Sequence, residues 1–257
     1  MTRQIVVGIP VRMASTRYPG KPLADIDGMP MVEHVWRRCR LSSAVTRLVV
    51  AGCDVEIARW AQNIGAEYVH TDPEISRPSL RVAAALQDAP LHDNDLVVVV
   101  QGDEPLVHPS MIEDAILPLS DPGVFATNLC AEATAKDLMD PAEIKVVHDL
   151  DFNAMYMSRS PIPNASHADS LSWKPMRQVC IFGFRHPGLQ AMAYEIPATP
   201  LEQYESIEMN RLLEYGATVR MVPTDRQTKS VDTPDDRAQA EGLIREDPLT
   251  KMYAGPL

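Results

Sequence analysis

Arg12, Arg17 and Lys21 bring three fixed positive charges into one short loop. The loop follows an apolar run of strand type, Ile5–Ile9, that ends at Pro10. Three cations at the carboxyl end of a first strand, flanked by Ser15, Thr16 and Gly20, suit a polyanion such as a nucleoside triphosphate. A solvated basic loop would account for any one of them; the three together point to phosphate. A second stretch, Val97-Val98-Val99-Val100 followed by Gln101-Gly102-Asp103-Glu104-Pro105, ends a buried strand in an aspartate. A carboxylate facing a triphosphate repels it unless a hard cation lies between them, and Mg²⁺ with one or two carboxylates plus phosphate oxygens is the common solution. The third stretch is Ser230-Val231-Asp232-Thr233-Pro234-Asp235-Asp236. Thr233 as N-cap, Pro234 at the first position and an acidic first turn explain Asp235 and Asp236 as a helix start. They do not explain Asp232, which with Asp103 could bracket one or two Mg²⁺ ions.

Other chemistries find little support. No Ser-His-Asp or Cys-His set is visible, no G-x-G-x-x-G follows a strand, and the Walker pattern is missing. Charge neutralisation and positioning are therefore expected to do the work, without a covalent nucleophile. The net charge of -11 argues against a nucleic-acid partner, which needs a basic footprint. An anionic small substrate requires a local basic pocket against that global field. Cys39, Cys53, Cys130 and Cys180 are far apart and the histidines are scattered, so a zinc site is not expected and a reducing compartment is. Without a signal peptide or a membrane-length apolar run, the expectation is a cytoplasmic protein with no membrane partner.

The elements that must position these groups alternate through the first half. Ile5–Ile9, Arg47–Ala51, Glu67–His70 and Leu96–Val100 read as strands, and Met31–Cys39, Val55–Gln62 and Leu80–Ala89 as helices. That alternation predicts an α/β fold with a mostly parallel sheet. The second half reads differently. Strands at Val124–Asn128, Ile144–His148, Ala154–Met157 and Val179–Phe184 suggest an inserted antiparallel layer at about 124–185, a subdomain or dimerisation arm within one domain of 1–257. Pro161 to Pro175 reads as loop. Leu201–Tyr215 reads as one long helix ending at Gly216, Thr218–Val222 as a strand, and Pro234–Arg245 as the last helix.

The three motifs, in this order, resemble those of the CMP-KDO synthetases, the 3-deoxy-manno-octulosonate cytidylyltransferases. The resemblance covers nearly the whole chain. It rests on Ile9-Pro10-Val11-Arg12-Met13-Ala14-Ser15-Thr16-Arg17 with Pro19-Gly20-Lys21-Pro22-Leu23, on Gln101-Gly102-Asp103-Glu104-Pro105, and on Val231-Asp232-Thr233-Pro234. Ile144-Lys145-Val146-Val147, Ser158-Arg159 with Ile162-Pro163, and Pro200-Leu201-Glu202 add support. The resemblance implies a Rossmann-like nucleotidyltransferase domain, a dimerisation insertion and a homodimer. It implies transfer of CMP from CTP to a small acidic acceptor with release of pyrophosphate. Pro10, Arg12, Ser15, Arg17, Lys21 and Gln101 fall at its CTP contacts. Arg12, Arg17, Lys21 and Asp103 fall at its catalytic positions, and Asp103 and Asp232 at its metal ligands. Arg77, Arg81, Gln101, Arg159, Gln178, Glu208 and Arg211 fall in the acceptor region.

The departures cluster there. The family's Ser-Gly-Thr-(Asp/Glu)-Arg run is replaced by Ser76-Arg77-Pro78-Ser79-Leu80-Arg81. Its Arg-His-Leu-Gly-Ile-Tyr becomes Arg177-Gln178-Val179-Cys180-Ile181-Phe182, and a glutamine of the long helix becomes Met209. Sites that bind hydroxyls discriminate strongly through them, because unpaired buried polar groups are costly. The expected acceptor therefore has fewer hydroxyls than KDO, with a phosphonate such as phosphonoformate beside the sugar acids. Family drift with water filling the gaps is the alternative. Rivals to the whole reading are a nucleotide-binding regulatory protein and a sugar-1-phosphate nucleotidyltransferase using another base.

Overall fold

A computed structural model describes residues 3–15, 17–164 and 174–255. Strand β1 (Ile5–Pro10) leads through the first loop and a two-residue ribbon, β2 (Asp25–Ile26) with β3 (Met29–Pro30), into helix α1 (Met31–Arg40). Then come β4 (Arg47–Gly52), α2 (Val55–Asn63), β5 (Glu67–His70), α3 (Pro78–Ala85), β6 (Leu96–Val100) and α4 (Pro109–Ile116). The second half runs β7 (Ala126–Glu132), α5 (Ala135–Met139), β8 (Lys145–His148), β9 (Ala154–Ser158) and β10 (Met176–Arg185). It closes with α6 (His186–Tyr194), α7 (Pro200–Glu205), α8 (Met209–Glu214), β11 (Val219–Pro223), α9 (Pro234–Glu246) and α10 (Thr250–Tyr253). Among the described residues no helix is long and apolar enough to cross a membrane.

The main sheet has the order β11-β7-β10-β6-β1-β4-β5. Its β6-β1-β4-β5 half is parallel, so the carboxyl ends of these strands lie along one edge. β10 enters antiparallel between β6 and β7, and β11 is parallel to β7. Alternation along the strands decides which core each side chain joins. Val6, Val97 and Val99 face α3, α6 and α8, whereas Val7, Ile9, Val98 and Val100 face α1, α2 and α4. Both faces are covered, which is why β6 is apolar at every position.

The second half departs from the sequence reading in instructive ways. β7 and β10 are full members of the main sheet, and the β8–β9 hairpin branches from β10. Helix α6 has no counterpart in the sequence reading; like α4 it begins with a proline in its first turn, where proline's missing N–H costs nothing. The expected helix over 201–215 is two helices. Ser206 sits in the left-handed region with φ 55° and ends α7. The Glu205 carboxylate just before it is bound by Tyr156, Ser158 and the Arg159 backbone, which pins the break against β9. Part of the expected 161–175 loop lies outside the described residues.

Arg211 on α8 forks onto Glu202 of α7 at 2.6 and 2.9 Å and donates to the carbonyls of Met192 and Ile196. Both residues are buried, so this pair locks α7, α8 and α6 together. Arg211→Met leaves the Glu202 carboxylate buried with a weaker partner. We expect chemical denaturation to read a loss of about 3 kcal/mol, the usual cost of breaking a buried pair. A loss below about 1 kcal/mol would contradict this structural role.

Candidate active site

The loop after β1, the turn after β6 and the segment before α9 meet at the carboxyl edge of the parallel strands. The first loop is pinned from both ends. The Met13 N–H donates to Asp54 Oδ2 at 2.8 Å, and the Gly20 N–H donates to the Met13 carbonyl at 3.1 Å. Gly20 has φ 75°, a conformation that costs glycine no Cβ clash. The turn after β6 packs so tightly on this loop that a Cβ at Gly102 would lie 2.4 Å from Val11 Cγ1. The segment before α9 is set by a capping box between Thr233 and Asp236, and by Asp236 Oδ2 accepting from the Asp232 N–H at 3.2 Å. The Val231 N–H donates to the Asp103 carbonyl at 3.0 Å and joins the two acidic segments directly.

This geometry brings Asp103 and Asp232, far apart in sequence, onto one ammonium. Lys21 Nζ lies 2.7 Å from Asp103 Oδ2, 2.9 Å from Asp232 Oδ1 and 2.9 Å from the Val231 carbonyl. Burial alone disfavours the charged lysine, but the two carboxylates outweigh it and hold its pKa above the ordinary value. Arg17 reaches the other oxygen of Asp232 at 3.0 Å. Arg12 lines the same cleft, is exposed, and pairs with no carboxylate among the described residues. Asp103 Oδ1 is buried and has no hydrogen-bond partner. Two carboxylates that already share one cation, one of them with an oxygen left unpartnered, fit a Mg²⁺ ion. No group of three or more His, Cys, Asp or Glu capable of holding a metal occurs among the described residues. A metal here would take its other ligands from phosphate oxygens and water.

Beneath Asp103 lies Glu104, a residue whose importance its spacing did not reveal. Its carboxyl is buried, accepts from Ser230 Oγ, and accepts from the Cys180 N–H at 3.4 Å. Burial and the neighbouring Asp103 charge push its pKa up to about 7.

The cleft has a volume of about 650 Å³ and runs on from Gln101 toward β10 and the start of α3. Pro10, Ser15 and Gln101 line it. Its far end separates the four expected acceptor arginines by what neutralises them. Arg81 is buried and donates to Thr71 Oγ1 and to the Asp72 and Ile75 carbonyls. Arg159 donates to the Glu205 carbonyl at 2.8 Å and to the Pro141 and Ala142 carbonyls at 3.1 and 3.2 Å. Both line the cleft, both are held by neutral groups, and neither side chain forms an ion pair among the described residues. Arg77 also lines it but lies 3.2 Å from Glu202 Oε1. Arg211 is to be removed from the set: it does not line this cleft, because Glu202 holds it inside the helical layer.

Gln178 and Glu208 line the cleft, with the amide nitrogen of Gln178 and both carboxyl oxygens of Glu208 already engaged. Gln178 Nε2 donates to Asn128 Oδ1 at 2.5 Å, while Asn128 Nδ2 donates to β10 carbonyls across a bulge. Glu208 accepts from Ser79 Oγ at 2.8 Å and the Ser79 N–H at 3.1 Å. Ser76, which opens the departing 76–81 run, lines the cleft, as do Asp140, Glu143 and Ser206, which no motif marked.

The cytidylyltransferase family model matches residues 6–222. The 8-amino-3,8-dideoxy-manno-octulosonate cytidylyltransferase of Shewanella woodyi is 35% identical over 93% of this chain and 98% of its own. The 3-deoxy-manno-octulosonate cytidylyltransferase of Trichlorobacter lovleyi is 36% identical over 95% and 99%. A solved CMP:2-keto-3-deoxy-manno-octonic acid synthetase complexed with CTP superposes with a TM-score of 0.85 at 30% identity, covering 95% of this chain and 99% of that one. The chain belongs to the cytidylyltransferase family. Within that family, its similarity is to the manno-octulosonate enzymes.

Glu208 offers a test of the site's burial. Burial pushes its pKa from 4.5 up to about 7, so between these values the folded state binds the proton that the unfolded chain has lost. Its contribution to stability therefore falls as pH rises from about 4.5 to 7. The melting temperature of Glu208→Gln is expected to decline less than wild type across that window. Parallel curves would show that Glu208 titrates normally.

Proposed function

We propose that this enzyme transfers CMP from CTP to a small anionic acceptor and releases pyrophosphate. The observation that carries the reading is the meeting of Asp103, Asp232 and Lys21 beside Arg12 and Arg17, at the strand edge where α/β sheets bind ligands. Arg12, unpaired with any described carboxylate, is the cation available to a triphosphate from the outset. Lys21 and Arg17 meet phosphate oxygens by exchanging their carboxylate partners, so nucleotide entry redistributes charge already present. Asp103 and Asp232 would hold Mg²⁺, which when bound polarises the α-phosphate and lowers the pKa of an attacking hydroxyl. The acceptor oxygen attacks the α-phosphorus in line with departing pyrophosphate, and the arginines offset the charge that builds on the leaving group.

Arg81 and Arg159 orient the acceptor's acid group. Their guanidiniums are fixed by neutral oxygens, so they keep net charge to offer and need little reordering. The relatives' names favour a KDO-type sugar acid. A second reading, a compact phosphonate such as phosphonoformate, is favoured by the acceptor end itself. The Gln178 Nε2 donor is spent on Asn128, and Phe182 carries no hydroxyl, leaving fewer hydrogen-bond donors for a polyol. A phosphonate oxygen is already anionic, so no proton need be removed before attack. We also infer a homodimer through the β8–β9 hairpin, where Leu150 and Met155 expose apolar side chains.

Pyrophosphate release assayed with CTP and each acid separates these acceptors. Asp103→Asn is expected to lower kcat at least about a hundredfold while CTP still binds, as loss of an electrostatic stabiliser does. CTP binding by wild type without consumption of any acid would instead favour a regulatory nucleotide-binding protein. Consumption of another nucleoside triphosphate with a sugar 1-phosphate would favour that rival.

A further inference from the structure

Lys145 is a fully buried lysine with no carboxylate within ion-pair distance among the described residues. It points from β8, in register with Arg177 on β10 and Ser158 on β9. Its ammonium donates to three backbone carbonyls: Asp140 at 2.8 Å, Glu143 at 2.7 Å and Arg159 at 2.6 Å. An ammonium has three N–H donors, so each donor has one acceptor and the group is fully satisfied.

These three carbonyls have a pattern. Asp140 and Glu143 bracket the turn whose middle carbonyls, Pro141 and Ala142, receive the Arg159 Nη1. The third carbonyl belongs to Arg159 itself. One buried charge thus fixes both the backbone from which Arg159 springs and the turn against which its guanidinium lies. Asp140, Ala142, Glu143 and Arg159 all line the cleft, whereas Lys145 does not. Burial of a lysine charge is costly, and burial draws the Lys145 pKa below the ordinary lysine value. Such a cost on a short hairpin strand calls for a compensating role. The contacts indicate what it is, since an apolar side chain would leave three carbonyls without a donor.

We propose that Lys145 is a positioning residue for the acceptor: through the 140–143 turn and the Arg159 backbone it aims the Arg159 guanidinium into the cleft. This rests on the reading of Arg159 as a group that holds the acceptor's acid. Lys145 touches neither substrate nor the nucleotide half of the site, so its removal acts on one substrate and not on the other.

The test is a double-mutant cycle on Lys145→Met and Arg159→Met, with CTP and either 3-deoxy-manno-octulosonate or phosphonoformate as the acid. Lys145→Met should lower kcat/KM for the acid roughly ten- to hundredfold, as misplacement of a binding group by about 1 Å does. The KM for CTP should stay within about twofold, and the double variant should be hardly worse than Arg159→Met alone. Losses that multiply in the double variant, or equal rises in KM for both substrates, would overturn the proposal. If circular dichroism and CTP affinity show that Lys145→Met does not fold, Lys145→Gln, whose amide serves two of the three carbonyls, carries the same cycle. Wild type inert toward both acids would overturn the acceptor reading, and this role with it. Turnover with a multiplicative cycle overturns the role of Lys145 alone.

Discussion

One ammonium between two carboxylates holds this site together. Lys21 lies within 2.9 Å of both Asp103 and Asp232, residues carried by the turn after β6 and the segment before α9. In a chain of net charge -11, two aspartates at one cleft would repel each other and any nucleotide. The lysine cancels part of that charge and holds the carboxylates at a separation that one cation can span. Everything around it maintains the arrangement. Gly102 permits the close approach, Val231 ties the two acidic segments through the backbone, and the buried Glu104 carboxyl adds a second tie through Ser230.

The far end of the cleft follows a different principle. There the question is which positive charges remain for a ligand after the protein has used the rest. Arg211 and, in part, Arg77 are answered by Glu202; Arg81 and Arg159 are held by hydroxyl and carbonyl oxygens. A cation held by neutral dipoles is ordered without being neutralised. That distinction divides the four arginines into two answered by a carboxylate and two that line the cleft with their charge unanswered among the described residues.

The meeting of Arg17 and Lys21 with Asp103 and Asp232 was legible in the sequence because its signals are local. A strand, a turn and a helix cap each place their own charged residue, and the parallel strands deliver all three to one edge. The first-half elements were legible for the same reason: strand alternation and helical periodicity act over a few residues. The far end of the cleft was less so. Arg211 and Arg159 look alike in sequence, and only the distant Glu202 and the carbonyls of the 140–143 turn tell them apart. The break at Ser206 depends on Glu205 being captured by β9, a long-range contact that helical periodicity cannot register. Glu104 and Lys145 stood inside recognisable motifs, yet their roles come from burial, which their residue types argue against.

The most direct measurement is a crystal structure of the enzyme with CTP and Mn²⁺ in place of Mg²⁺, read by anomalous scattering. The account predicts a manganese peak bonded to carboxylate oxygens of both Asp103 and Asp232 and to a CTP phosphate oxygen, with Lys21 moved from the carboxylates to the triphosphate. A nucleotide bound with its phosphates away from these residues, or a metal that touches neither aspartate, would contradict it.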